Sequence, residues 1–140
     1  MPNLHEHIII NDRKTAFKEV EGKLERIFGT LHLSESDKHN LLVSATEAMN
    51  NAMSHGNRND PAKKVMLDVD YGNDEVTLIV EDEGDGFNPK DLADPLLPEN
   101  LLKPSGRGIH IMKSLMDSVV FEFTPHGTRT IMKLKVGIKK

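Results

Sequence analysis

Cysteine and tryptophan are both absent from the 140 residues, and tyrosine occurs once. Without cysteine there are no disulfides, no thiolate metal sites and no cysteine nucleophile, and a reducing compartment is compatible with the composition. The shortage of aromatics leaves no platform on which bases could stack. Positive charge is not in excess either. The formal net charge is −4, which argues against direct nucleic-acid binding. Long apolar runs are missing: stretches such as Ile8-Ile9-Ile10 fall far short of a bilayer span. The opening Met1-Pro2-Asn3-Leu4-His5-Glu6 has neither the basic start nor the apolar core of a secretory leader. There is no internal repeat and no low-complexity tract. What is present is 37% apolar residues, enough for the core of one domain spanning 1–140. The expected setting is the cytoplasm, with no membrane and no nucleic acid as partner.

Periodicity gives the element order. His5 to Ile10 reads as a strand with His5 and His7 on one face. Asn11 or Asp12 can cap a helix to about Phe28, with Phe17, Val20, Leu24, Ile27 and Phe28 as its apolar stripe and Gly29 at its end. Ser34, with Asp37 three residues on, resembles a capping box and opens a second helix. Its buried face carries Leu41, Leu42, Ala45, Ala48, Met49, Ala52 and Met53, and Gly56 stops it before the polar loop Asn57-Arg58-Asn59-Asp60-Pro61. The period then becomes two through Val65, Leu67, Val69 and Tyr71, and again through Val76, Leu78 and Val80, with Gly72-Asn73-Asp74 as the turn of a hairpin. A long aperiodic stretch follows, broken by Pro89, Pro95 and Pro98. Loops of this length are often functional lids. Ile109 to Met116 reads as a short helix, and Val119–Phe123 and Thr128–Val136 as strands joined at Pro125-His126-Gly127. The expected fold class is an α+β two-layer sandwich, a mostly antiparallel mixed sheet covered on one face by helices.

Three short segments carry chemistry. Glu47 and Asn51 stand four apart on one helix, so they share a face. A carboxylate there can accept a proton, and a carboxamide oxygen suits Mg²⁺, which takes few protein ligands. On its own the pair also reads as an ordinary solvated helix face. Asp82 ends an apolar strand and is followed by Gly84 and Gly86. Such an Asp can accept a hydrogen bond from an exocyclic amine such as that of adenine, and glycines admit close backbone approach; an acidic turn is the plainer alternative. A calcium loop counted from Glu81 fails, because Leu92 stands where its last acidic ligand belongs. Gly106-Arg107-Gly108 precedes the predicted helix, and a helix start is a natural phosphate site. It is neither a P-loop nor a dinucleotide fingerprint. His5 and His7 could bind metal but read better as surface histidines, and His55 sits at a helix end that favours a cation.

Taken together, these segments give the chain from about Thr15 to Val136 a resemblance to the Bergerat ATPase fold of gyrase, heat-shock chaperone, histidine kinase and mismatch-repair ATPases. It most resembles the compact bacterial anti-sigma-factor serine/threonine kinases. Glu47-Ala48-Met49-Asn50-Asn51-Ala52-Met53-Ser54-His55-Gly56-Asn57 is similar to their N box. Asp82-Glu83-Gly84-Asp85-Gly86-Phe87 is similar to the D-x-G-x-G box, and Gly106-Arg107-Gly108 with the helix after it to the second glycine box. Gly127-Thr128 resembles the closing G-T element.

The resemblance implies Glu47 as general base, Asn51 as the Mg²⁺ ligand, and Asp82 on the adenine amino group with Thr128 in support. It implies Gly84 and Gly86 shaping the adenine side, and Gly106, Arg107 and Gly108 lining the phosphates. Asn50 and His55 join the expected ATP-binding set. It also implies phosphorylation of a STAS-domain anti-anti-sigma protein, a sigma factor as second partner, and homodimers in many members. An alternative is a non-catalytic module in which ATP only organises the lid, expected at about residues 87–105. That stretch is rich in leucine, with Leu96-Leu97 and Leu101-Leu102, and can equally be a partner-docking surface. A plain ATPase is a third reading. A complete sensor histidine kinase or a gyrase-like machine is not expected.

Overall fold

Strand alternation translates directly into burial. In the computed structural model, which describes residues 3–10, 13–57, 60, 62–84 and 104–137, Val65, Leu67, Val69 and Tyr71 are buried while the residues between them are only partly so. The same holds for Val76, Leu78, Val80 and Asp82. These are strands β2 (Val65–Gly72) and β3 (Glu75–Asp82). Their hairpin turns on Asn73 and Asp74, at φ of 54° and 59°. Two successive left-handed residues match the natural twist of a two-residue hairpin, and Asn and Asp are among the few side chains that tolerate it. With β1 (Leu4–Ile10), β4 (Ser118–Thr124) and β5 (Gly127–Lys135) they form a five-stranded sheet in the order β1-β2-β3-β5-β4. All four pairings are antiparallel, so the mixed character expected from the sequence is not found among the described residues.

Helices cover one face of this sheet. Val20, Leu24 and Phe28 of α1 (Arg13–Thr30) and Leu41, Ala45, Ala48 and Met49 of α2 (Glu35–Asn51) are buried. Met112 of α3 (Pro104–Leu115) joins them in one cluster with Leu67, Leu78 and Met132 of the sheet. Each fully buried side chain of this size contributes about 1.5–3 kcal/mol. No helix among the described residues is long and apolar enough to cross a membrane.

Helix boundaries hold both agreement and correction. Ser34 caps α2 as expected, its Oγ accepting from Asp37 N–H at 3.1 Å. Gly29 does not end α1, which runs on to Thr30 and stops at His32, held left-handed at φ 53°. A glycine in a helix costs only about 1 kcal/mol, so it need not break one. Gly106-Arg107-Gly108 does not precede its helix but lies inside it. α3 begins at Pro104, whose ring presets the helical φ and lacks a donor that the first turn would leave unpaired. α2 continues beyond Asn51 as a π-helical segment, Ala52–Gly56, closed by Asn57 N–H donating to Ala52 C=O at 2.8 Å. Such segments accommodate an extra residue per turn and recur at functional sites.

Candidate functional site

α3 packs on α2, and the contact brings two of the three sequence segments together. Glu47 and Asn51 are half-buried one turn apart. Gly108 is buried against them: a Cβ at that position would lie 3.0 Å from Glu47 Oε2 and 3.2 Å from Asn51 Nδ2. Only a glycine permits this approach without displacing the carboxylate or the carboxamide. Gly108 is the fifth residue of α3, so the helix start, with its unpaired N–H groups and the positive end of the helix dipole, lies one turn before this contact. Gly106 and Arg107 belong to that turn by their backbone. Asn50 is half-buried on α2, about 100° round the helix from Asn51. His55 lies in the π segment. The side chains of His55 and Arg107 lie outside the described set, as do Gly86 and the lid through residue 103. Pro104 and Ser105, placed in the lid by the sequence reading, are the first residues of α3.

The third segment meets the last hairpin. Asp82, only 6% exposed at the end of β3, has two donors on one oxygen: Gly84 N–H at 2.9 Å and Thr128 N–H at 3.1 Å, both on Oδ1. Burial pushes its carboxyl above the ordinary carboxylate range, and the two backbone hydrogen bonds pull it partly back. Gly127, at φ +154°, passes so close that a Cβ would sit 2.0 Å from the Asp82 carbonyl oxygen. No side chain fits there. Thr128 Oγ1 is buried and has no hydrogen-bond partner. A buried hydroxyl left alone is costly, so a partner belonging to a bound molecule or water is the natural completion. A half-satisfied buried carboxylate beside an orphaned hydroxyl suits a ligand that carries both a donor and an acceptor.

Sequence reasoning placed Asn57 in a polar loop and at the end of the segment that resembles the N box, with no role of its own. The structure buries it to 3% exposure and uses both ends of its amide. Nδ2 donates to Lys64 C=O at 3.0 Å, and Oδ1 accepts from Glu83 N–H at 2.8 Å. The sequence signals are its place directly after the helix stop at Gly56 and at the end of the N-box-like segment. The two strand histidines take carboxylates rather than metal: His5 pairs with Asp70, and His7 with Asp68 at 2.5 Å. Among the described residues no group of three His, Cys, Asp or Glu could hold a metal ion. A Mg²⁺ at Asn51 fits only as an ion that keeps most of its shell from water and phosphate oxygens.

This arrangement belongs to a known class. The chain is a member of the histidine kinase-like ATPase domain family, which matches residues 10–134. Among characterised proteins it is similar to an anti-sigma F factor of Clostridium perfringens, 36% identical over 100 residues, or 68% of this chain and 70% of that one. It is also similar to the serine-protein kinase RsbW of Bacillus licheniformis, 30% identical over 102 residues, covering 69% of this chain and 64% of that protein. Among solved structures, the RsbU and RsbW domains of a Mycobacterium tuberculosis protein superpose with a TM-score of 0.67 at 18% identity. That match covers 97% of this chain and 33% of the other. A histidine kinase domain from a blue-light-activated kinase of Erythrobacter litoralis superposes with a TM-score of 0.58 at 14% identity, over 87% of this chain and 60% of that one. The two likenesses establish the shared fold.

Proposed function

We propose that this protein is an ATP-dependent serine/threonine kinase and anti-sigma factor that phosphorylates a STAS-domain anti-anti-sigma protein in a partner-switching pathway. The observation that carries the reading is the close junction of Glu47, Asn51 and Gly108, which supports a proton acceptor and a metal-ligating oxygen about one turn from the N-terminus of α3. Support for the biological class comes from relatives named anti-sigma F factor and serine-protein kinase.

In this reading the adenine amine donates to Asp82, and the Thr128 hydroxyl gains the partner it lacks. Gly84 N–H holds the Asp82 carboxylate, and Gly127 lets its strand close on the Asp82 backbone. The phosphates lie at the N-terminal end of α3, along Gly106, Arg107 and Gly108. Asn51 would hold Mg²⁺, which supplies charge neutralisation on the phosphates. Glu47 accepts the proton of the acceptor serine or threonine hydroxyl as its oxygen attacks the γ-phosphorus and ADP leaves. Phosphoryl transfer asks mainly for positioning and charge stabilisation, so this sparse set is chemically sufficient.

The test is transfer of labelled phosphate from ATP to a STAS-domain protein. Glu47→Ala is expected to retain ATP binding and to lose transfer by about 10²- to 10⁴-fold, the usual worth of a positioned general base. Transfer at the wild-type rate by this variant would remove Glu47 as base. Steady ADP release without any acceptor would instead mark a plain ATPase.

A further inference from the structure

We propose that Asn57 is a positioning residue of the nucleotide site: its side-chain amide is a wedge that ends the β2–β3 ladder and aims Asp82 into the pocket. The inference rests on the nucleotide-binding reading above and concerns how this chain builds that site.

Val65 and Asp82 are the last pair of the β2–β3 ladder. One rung further, Lys64 would face Glu83. The Asp82 carbonyl points toward β5, as the close approach of Gly127 shows, so the next N–H, that of Glu83, points toward β2. In an unbroken ladder it would donate to Lys64 C=O. Instead the Asn57 amide stands between them. Oδ1 accepts from Glu83 N–H at 2.8 Å, and Nδ2 donates to Lys64 C=O at 3.0 Å. Both groups stay satisfied while the strands part. A third link closes the ring: Lys64 N–H donates to the Glu83 carboxylate at 2.5 Å.

Two consequences bear on the site. The chain leaves the sheet at Glu83, and Gly84 N–H can then turn back onto Asp82 Oδ1 at 2.9 Å. That bond fixes the carboxylate that is to read the base. Asn57 also closes the π segment through its own N–H on Ala52 C=O. One residue thereby ties the helix bearing Glu47 and Asn51 to the strand end bearing Asp82, and sets the spacing between phosphate and adenine ends. Neither Asn57 nor Glu83 touches the bound nucleotide in this reading.

The experiment compares ATP and GTP binding by calorimetry for wild type, Asn57→Ala and Glu83→Ala, each well below its own melting temperature. GTP carries a carbonyl where ATP carries the amine, so a fixed Asp82 selects ATP. Asn57→Ala leaves Glu83 N–H and Lys64 C=O unpaired, and is expected to weaken ATP binding about 10-fold and to narrow the ATP/GTP ratio by a similar factor. Glu83→Ala removes an exposed side chain whose loss does not endanger folding, and is expected to shift both in the same direction by about 3-fold. A clamp that only stabilised the fold would lower the melting temperature and leave the ratio untouched. That outcome, or wild-type affinity and ratio in Glu83→Ala where Asn57→Ala does not fold, overturns the proposal. A wild type that binds neither nucleotide removes the proposed function, and this inference with it. Wild-type binding with unchanged variants removes this inference alone.

Discussion

Asp82 is held at a cost. Its carboxylate is buried, and its raised pKa means that the folded state binds a proton more tightly than the unfolded chain does. Stability from this group therefore falls as pH rises from the ordinary value of 3.8 through the raised folded value, and at neutral pH the burial of charge is a net penalty. An Asn at this position keeps an oxygen for both Gly84 N–H and Thr128 N–H and removes the charge. Asp82→Asn is thus expected to melt at a higher temperature than wild type at neutral pH without nucleotide. The same change should weaken ATP binding by about 1.5–3 kcal/mol, roughly 10- to 150-fold, because a charged acceptor is lost. Thermal melts and calorimetry on the one variant read both; a lower melting temperature would refute the account of its burial. Gly108 behaves differently. A Cβ there crowds the ends of two side chains rather than backbone, so Gly108→Ala should leave stability nearly unchanged. Moving Glu47 and Asn51 by a few tenths of an ångström should still slow phosphate transfer about 10- to 100-fold. Normal transfer by Gly108→Ala would mean that the tight junction is incidental.

At the scale of elements, what the sequence made legible was what its local physics determines. Alternation located β2 and β3, because each strand has one buried face. Ser34 announced α2, because its hydroxyl can reach the N–H three residues on. The π segment was hidden, since Ala52 and Met53 fit an α-helix as well as a wider turn. The start of α3 is not legible because apolar periodicity begins only at Ile109, although Pro104 is a favourable first-turn residue. Asn57 ended the N-box-like segment but had no legible role, because its value lies in two backbone groups contributed by residues 64 and 83. The site segments could be singled out only as a set, through their resemblance to a known family, because each alone reads as a solvated helix face, an acidic turn or a plain helix start.

β1 adds a pH-dependent element of its own. It is an edge strand, and His5 and His7 stand directly across from Asp70 and Asp68. The hydrogen bond to Asp70, helped by its charge, raises the pKa of His5 above 6.5. The sign follows: the contribution of this pair is complete below pH 6.5 and fades as pH climbs through the raised folded value. The stability difference between wild type and His5→Gln, from urea unfolding, should be larger below pH 6.5 than at a pH above that folded value. Equal differences at both would remove the pair from the account.

Across the whole molecule, sheet order decides which parts of the chain must cooperate. Neighbouring segments form β2–β3 and β4–β5, and the pairing of β3 with β5 joins residues far apart in sequence. Asp82 lies on one side of that seam, and Gly127 and Thr128 on the other. The second contact repeats the arrangement, with Glu47 and Asn51 before residue 84 and Gly108 after residue 104. Each end of the proposed nucleotide site is therefore shared between an early and a late portion of the chain. ATP bound there would act as a clasp across both junctions, with a stabilisation of about 2.7 kcal/mol at one hundred times its dissociation constant. A single protease cut between Gly84 and Pro104 leaves every peptide bond within the two portions intact, so the nicked protein should stay together longer with ATP than without it. Size-exclusion chromatography of the nicked protein would show this directly. Equal rates of separation would mean that the nucleotide does not bridge the seam. Slower separation with ATP would make the ligand a structural member of the protein as well as its proposed phosphate donor.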